Sequence, residues 1–321
     1  MTVFRSLEDI PASFGPSLVS VGNFDGVHRA HVRVLHEIAD RSRQQGAQSI
    51  AVTFEPHPTR LLRPDSGLKL LTPTQEKLRL LEGSAIDAVL LLSFTRELSL
   101  MTPRDFVQHI LRDRLKAVEL HEGYNFHFGY RASGDVQLLG ELGRELGFRV
   151  VAYPEMRVRG ESVSSTRIRE LIREGQVARA RALLARPFSL RSTSTRGRGI
   201  GAQQTVPTIN FSPYAELVPA NGVYITRTRV ENHCFDSVTN IGNRPTFGTD
   251  SFAIETHLLD FQPFEMAPET QIELSFLARL RDEIKFSSVQ ALREQIQRDI
   301  AKARHYFGLM RHTGTSIEAR S

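Results

Sequence analysis

A disulfide framework is excluded at once, because the 321 residues include a single cysteine, Cys234, with no second thiol to pair with. A lone thiol fits a reducing compartment, so a cytoplasmic location is expected and Cys234 reads as a small strand residue. No run of about 18 or more apolar residues occurs, and a membrane span is not expected. The opening stretch Met1-Thr2-Val3-Phe4-Arg5-Ser6-Leu7-Glu8-Asp9 is charged and has no apolar core of the kind a secretory leader needs. Internal repeats are missing. His28 and His31 lie close together, but no third ligand follows at a spacing familiar from zinc sites.

The composition is that of an ordinary globular protein, 40% hydrophobic and 24% charged, and the length suggests about two domains. A net charge of +5 raises the question of nucleic acid. The arginines are spread among many acidic residues, and only 186–198 is locally basic, with Arg186, Arg191, Arg196 and Arg198. No aromatic platform for stacking bases accompanies them. So small a surplus also suits a protein that handles several phosphates, and the expected partners are small molecules, with neither nucleic acid nor membrane.

In the first half, short apolar runs alternate with helical patterns. Strands are expected at 18–22, 49–54, 87–93, 117–121 and 148–153, with helices at 30–45, 73–83, 103–115 and 135–146. This alternation predicts a parallel sheet covered on both faces, with ligands bound beyond the carboxyl ends of its strands. Short helices are expected at 164–174 and 176–185, after which Arg186-Pro187 interrupts the pattern. Residues 188–206 are rich in Ser, Thr, Arg and Gly. Strand-like segments then follow at 222–230, 252–258 and 270–277, suggesting a small antiparallel sheet or barrel. Val289, Leu292, Ile296, Ile300, Ala303 and Phe307 form the stripe of a closing helix, with a capping box at Ser287 and Gln290 and a stop at Gly308.

The most informative segment is Gly22-Asn23-Phe24-Asp25-Gly26-Val27-His28-Arg29-Ala30-His31, between the first strand and the first helix. A glycine-bearing turn that opens a helix brings backbone N–H groups and a positive dipole end to an anion. His28 and His31 share one face of the first turn and add two donors for phosphate oxygens. Ser164-Ser165-Thr166-Arg167-Ile168-Arg169 is a second such place. Its hydroxyls either cap the helix or face a phosphate, with Arg169 adding a fork of donors. In the second half, Gly197, Gly199 and Gly201 read either as a plain linker or as a flexible phosphate cradle. Thr208 and Asn210 carry oxygens suited to Mg²⁺.

Several of these strings occur together, in order, in one enzyme family. The first half resembles the flavin-specific nucleotidyltransferases through Asn23–His28 with His31 (an HxGH-bearing motif), Thr53-Phe54-Glu55-Pro56-His57-Pro58, Asn125-Phe126-His127-Phe128-Gly129 with Gly134-Asp135, and Ser164–Arg169. The second half resembles riboflavin kinase through Pro207-Thr208-Ile209-Asn210, the Asn240–Gly248 string, Glu255-Thr256-His257 and Leu280–Phe286. The chain therefore resembles the prokaryotic bifunctional riboflavin kinase/FAD synthetase family over nearly its whole length. Two positions depart from the family pattern. Ala30 stands where Gly is usual, and Ala202-Gln203-Gln204-Thr205-Val206 replaces a string usually closer to Arg-x-Leu-Gly-Phe.

The resemblance implies an α/β Rossmann-like domain over 1–186 that adenylylates FMN. A mainly β domain over 187–310, a six-stranded antiparallel barrel with a C-terminal helix, would phosphorylate riboflavin, and 311–321 would be a tail. ATP, riboflavin and FMN would be substrates and Mg²⁺ the cofactor. Glu255 would be the kinase base, with Thr208 and Asn210 holding the metal, and Asn125 and Arg281 would contact flavin. Gly22, Asn23, Phe24, Asp25, Gly26, Ser164, Ser165, Thr166 and Arg169 would surround the adenylyl-transfer phosphates, with Gly197, Gly199 and Gly201 around those of the kinase. At this stage alternatives stay open: an adenylyltransferase with a weak kinase domain, transfer to another small phosphate, or a nucleic-acid binder.

Overall fold

The structure is a computed structural model that describes residues 1–195, 209–244, 251–260 and 270–312. By packing, the chain forms two compact units, Met1–Ser165 and Thr166–Ser321. Among the described residues, no helix is long and apolar enough to cross a membrane.

The first unit runs β1 (Thr2–Phe4), β2 (Ser17–Val21), α1 (Arg29–Gln45), β3 (Gln48–Glu55), α2 (Pro58–Leu62), α3 (Thr74–Glu82), β4 (Ala88–Ser93) and α4 (Arg96–Leu100). It continues with α5 (Pro103–Asp105), which passes into a π-helical stretch (Phe106–Arg114), then β5 (Ala117–Gly123), α6 (Val136–Leu146), β6 (Arg149–Tyr153) and the small hairpin β7 (Arg157–Val158) and β8 (Glu161–Ser162). Six parallel strands lie in the order β1-β4-β3-β2-β5-β6. The register sets Val19 beside Ile50 on one side and Leu120 on the other. Alternate residues serve opposite faces. Val19, Ile50 and Leu90 pack with Val107 and Ile110, whereas Leu18, Ala51 and Val89 pack under Leu35 and Ile38 of α1. Burial on both faces is why these strands read as continuous apolar runs. From β2 the chain winds outward through β3 and β4, then returns to the other side as β5 and β6. The reversal falls between β2 and β5, and in open α/β sheets ligands bind at the carboxyl ends beside such a point.

The expected strands and helices of this unit lie within a few residues of their predicted bounds. The segment expected as a regular helix at 103–115 differs: Leu115 N–H donates to the Ile110 carbonyl at 3.0 Å, a five-residue step that widens the helix. β1 escapes the sequence reading because three residues are too few for periodicity to register.

The second unit takes α7 (Ser165–Arg173) from its second residue onward. It continues with α8 (Val177–Leu184), β9 (Phe188–Thr195), β10 (Ile209–Phe211), β11 (Gly222–Val230), β12 (His233–Arg244), β13 (Ser251–Leu258), β14 (Gln271–Arg281) and α9 (Val289–His312). The strands β9 to β14 close an antiparallel barrel in the order β10-β13-β12-β11-β14-β9. α9 seals one side, with Ile300, Ala303 and Phe307 packed against Ile225, Leu259 and Leu277. Its cap is Ser288, whose Oγ accepts from Ala291 N–H at 3.1 Å, rather than the expected Ser287. The helix also runs through Gly308 to His312 instead of stopping there, because a glycine costs only about 1 kcal/mol inside a helix. Cys234 is an exposed residue of β12.

Inside the barrel, five hydroxyls form a ring. Thr226 Oγ1 lies 2.8 Å from Ser237 Oγ and 2.7 Å from Thr239 Oγ1. Thr228 Oγ1 lies 2.7 Å from Ser237 Oγ and 3.4 Å from Thr256 Oγ1, and Thr239 meets Thr256 at 2.8 Å. All five side chains are buried. Each hydroxyl has one proton to donate and oxygen lone pairs to accept, so a ring of five satisfies every member. Hydroxyls on the inner face also explain why β12 is not foreseen: at Ser237 and Thr239 its inner residues are polar, and the alternation in hydropathy disappears. Truncating Phe307 to Ala should remove the plug beneath α9 at a cost of about 3–5 kcal/mol. The check is the urea midpoint of the second unit, which should fall sharply.

Candidate active sites

β2 ends where Gly22 N–H donates to the Val52 carbonyl at 2.9 Å, and the chain then turns through positive φ at Phe24 (47°), Gly26 (83°) and Val27 (35°). Glycine is suited to such a conformation and the other two are not. Phe24 and Val27 accept it by burying their side chains in the cluster under α1. His28 occupies the N-cap, its Nδ1 accepting from His31 N–H at 3.4 Å. The two imidazoles stack with centroids 3.5 Å apart, and the Phe24 ring meets His31 edge-on at 5.0 Å. The motif thus turns its apolar members under α1 and groups both histidines at the helix N-terminus.

Asp25 is buried and points inward. Its carboxylate accepts from Leu71 N–H at 3.2 Å, Thr72 N–H at 3.0 Å and the Thr72 hydroxyl at 3.4 Å, while Gly26 N–H donates to Thr72 Oγ1 at 3.0 Å. On the backbone side, Ser165 Oγ donates to the Asp25 carbonyl at 2.8 Å, tying the start of α7 to the turn. The two motifs singled out in sequence are therefore joined, with Ser164 and Ser165 half-buried at the junction. Thr166 is exposed on α7, and Arg169 is buried one turn on.

The sequence reading misses Lys77. It is buried on α3 and its Nζ donates to Thr53 Oγ1 at 3.0 Å, the Phe54 carbonyl at 3.2 Å and the Asn23 carbonyl at 3.4 Å. Burial lowers its pKa, with Glu55 and Asp25 opposing the shift. In the sequence a lysine between Glu76 and Leu78 reads as an ordinary surface charge, and it is the fold that buries residues 76, 77 and 81 of this helix. Beside it Asn23, Phe54, His57 and Lys77 line a small recess. Asn125 stands exposed just after β5, in a loop where Phe126 stacks on Phe128 at 5.3 Å. A Cβ on Gly134 would come 2.8 Å from the Phe128 ring, which fixes glycine there.

β5 carries further ionisable groups that the sequence reading does not single out. On one face, fully buried His121 contacts the Tyr153 hydroxyl at 2.8 Å and Glu119 at 3.0 Å, while Arg41 of α1 grips Glu119 at 2.8 and 2.9 Å. Burial pushes Glu119 upward, but hydrogen bonds from Arg41, Gln45 and His121 outweigh it and bring its pKa down to about 2. Burial lowers that of His121 and raises that of Tyr153 to about 12. On the other face, Glu122 accepts from Val21 N–H at 2.6 Å, replacing the strand partner lost where β2 and β5 part. Burial raises the Glu122 pKa well above the carboxylate range.

In the barrel, register brings Asn210 and Asn240 to either side of Glu255, making a row across β10, β13 and β12. Their neighbours Thr239 and Thr256 face the buried interior, so the row lies on the outer surface. Arg281 is held by Asp299 of α9, at 2.9 Å from Nη2 and 3.0 Å from Nε, and lies over the Phe286 ring at 5.8 Å. Gly197, Gly199, Gly201, Thr208 and the departing string 202–206 lie outside the described residues.

A parallel sheet with a glycine-bearing turn and helix start at its reversal point, and a barrel with a carboxylate between two amides, are arrangements suited to a transferase acting on phosphates. Comparison with known proteins makes this particular. Residues 11–167 match the family model of FAD synthetase and 184–307 that of riboflavin kinase. A bifunctional riboflavin kinase/FMN adenylyltransferase of Pseudomonas fluorescens is 33% identical over 305 residues, covering 95% of this chain and 97% of the relative. That of Escherichia coli K12 is 32% identical, covering 91% and 93%. A crystal structure from Streptococcus pneumoniae, described as a macrolide-efflux protein, superposes with a TM-score of 0.84 at 24% identity over 94% of this chain and 98% of that one, a likeness of fold. The chain belongs to the bifunctional riboflavin kinase/FMN adenylyltransferase family. It is a transferase with both activities, making FMN from riboflavin and FAD from FMN.

Glu122 makes the first unit sensitive to pH in a definite sense. Its pKa is higher folded than unfolded, so its contribution is complete below the ordinary carboxylate range and declines as pH rises toward the folded value. Glu122→Gln removes this titration. The drop in urea midpoint between about pH 5 and pH 8 should be smaller in the variant than in the wild type, and parallel drops would contradict the assignment.

Proposed function

We propose that residues 1–186 carry out adenylyl transfer and 187–310 riboflavin phosphorylation, with the site residues in the following roles. In the first reaction an oxygen of the FMN phosphate attacks the α-phosphorus of ATP. The new P–O bond forms as the bond to the β-phosphate oxygen breaks, and pyrophosphate leaves. FMN phosphate is already an anion near neutral pH, so no general base is needed. Catalysis is then a matter of placing positive ends of dipoles around the added charge. His28 and His31 supply ring donors, and the backbone of Gly22, Asn23, Phe24, Asp25 and Gly26 shapes the approach. Ser164, Ser165, Thr166 and Arg169 complete the phosphate surroundings, and Asn125 positions FMN. The observation that carries this reading is the Ser165 hydroxyl on the Asp25 carbonyl, which supports one shared phosphate site for the two motifs.

In the kinase reaction Glu255 takes the proton of the ribityl hydroxyl as that oxygen attacks the γ-phosphorus of ATP and ADP leaves. Arg281 lies on the flavin side, and Gly197, Gly199 and Gly201 cradle phosphates. The hard oxygen of Asn210, directly across from Glu255, suits Mg²⁺, which prefers few protein oxygens together with phosphates and waters. Thr208 and Asn210 would hold it. Bound there, the ion offsets negative charge on the transferred phosphates. Riboflavin, FMN and ATP are the ligands of this reading, nucleic acid is not, and the single thiol favours the cytoplasm.

Chromatography of riboflavin, FMN and FAD separates the two halves. His28→Ala should lower FAD formation from supplied FMN by about 10²-fold or more and leave FMN formation intact. Glu255→Ala should do the reverse, by about 10²-fold or more. Equal losses in both reactions from either variant would overturn the division of labour.

A further inference from the structure

The hydroxyl ring inside the barrel lies directly behind the kinase row. Thr239 and Thr256 belong to the ring, and the residues next to them, Asn240 and Glu255, belong to the row on the opposite face of the same strands. Asn210 joins that row from β10, across from Glu255. We propose that the ring of Thr226, Thr228, Ser237, Thr239 and Thr256 is the positioning device for the kinase base, fixing where the Glu255 carboxylate meets the flavin hydroxyl. The proposal rests on Glu255 being that base.

The physical argument is one of register. A purely apolar interior would hold β11, β12 and β13 together without specifying hydroxyl against hydroxyl. In the ring each donor needs its own acceptor, and a buried hydroxyl left unpaired is costly, so the strands settle where all five are matched. A slip of one residue would break the ring and move Glu255 to the inner face. Smaller shifts also matter. A base acts only within hydrogen-bond reach of its proton, and a displacement of about 1 Å lowers rates by about 10²-fold. The two bonds of Thr226, at 2.7 and 2.8 Å, reach Thr239 and Ser237 on β12, so even a residue on β11 contributes to the placing of Glu255 on β13.

The test uses the full chain, which contains its own control. T239V and T226V each replace a ring hydroxyl by a methyl group of similar shape, and T239S keeps the hydroxyl. FMN formation is measured as kcat and riboflavin KM, and FAD formation from supplied FMN is measured on the same preparations. The expected result is a kcat for FMN formation lowered about tenfold or more in both valine variants, with riboflavin KM and FAD formation near wild-type values. T239S should restore kcat. T226V is informative because its chain neighbours are not in the row, so a loss there comes through the ring. Wild-type kcat in the valine variants overturns the proposal, as does a rise in KM alone or a loss that T239S fails to restore. Where a valine variant shows no melting transition for the barrel, T228V, which removes the longest link together with the bond to Ser237, carries the test with the same two outcomes. A chain with E255A that still phosphorylates riboflavin overturns the base assignment itself, whereas loss in E255A with full activity in the valine variants overturns the ring alone.

Discussion

The turn between β2 and α1 adopts a backbone that its own residues disfavour. Positive φ at Phe24 and Val27 costs about 1–3 kcal/mol each, so neighbouring segments must hold it in place. Three buried polar side chains and the half-buried Ser165 do so. The Asp25 carboxylate takes backbone N–H groups of Leu71 and Thr72, the Thr72 hydroxyl takes Gly26 N–H, Lys77 takes the Asn23 carbonyl, and Ser165 takes that of Asp25. Hydrogen bonds to charged groups contribute about 1.5–3 kcal/mol each, enough together to offset the strain. Because the turn is held, His28 caps α1, its imidazole stacks on that of His31, and Ser165 is tied to the turn at Asp25. Residues far apart in the chain thus converge on one turn and hold it.

The barrel solves a different problem by the same means. Its inner surface is polar where five hydroxyls meet, and its outer surface carries the row of Asn210, Glu255 and Asn240. Strand alternation makes these two surfaces dependent on each other: what fixes the inside fixes the outside. In the first unit the Gly22–His31 motif lies at a strand end and a helix start, where backbone N–H groups lack intrahelical partners. In the second, Asn210, Glu255 and Asn240 stand on strand faces, where side chains project. That contrast follows from a parallel sheet covered on both faces and a closed barrel whose strands alternate inward and outward.

Much of this was legible in the residues. The apolar runs of β2 to β5 are strong because both faces are buried, and the decapeptide from Gly22 to His31 carries its strand, turn and helix start in order. Asn210, Glu255 and Asn240 were legible as separate residues of familiar strings, but not as a row, because register is set by pairing rather than by spacing. Asp25 looked like a phosphate neighbour since its sequence surroundings are those of a loop, and only the fold reveals that its carboxylate is turned to Leu71 and Thr72. Lys77 and Glu122 look like ordinary charged residues until burial is known. β12 was hidden by the very hydroxyls that make the barrel interior satisfied.

The π-helical stretch from Phe106 to Arg114 has a consequence for how the first unit tolerates change in length. A wide turn holds one residue more than an α-helix of the same rise requires, and here Phe106, Val107, Ile110 and Leu111 still reach the core. The surplus residue sits inside an element that packs against the sheet, not in a connection. Loss of one residue at this point returns the wide turn to α-helical winding, a change taken up within the helix rather than at its ends. Most proteins keep their slack in surface loops; this one keeps some of it within its core layer.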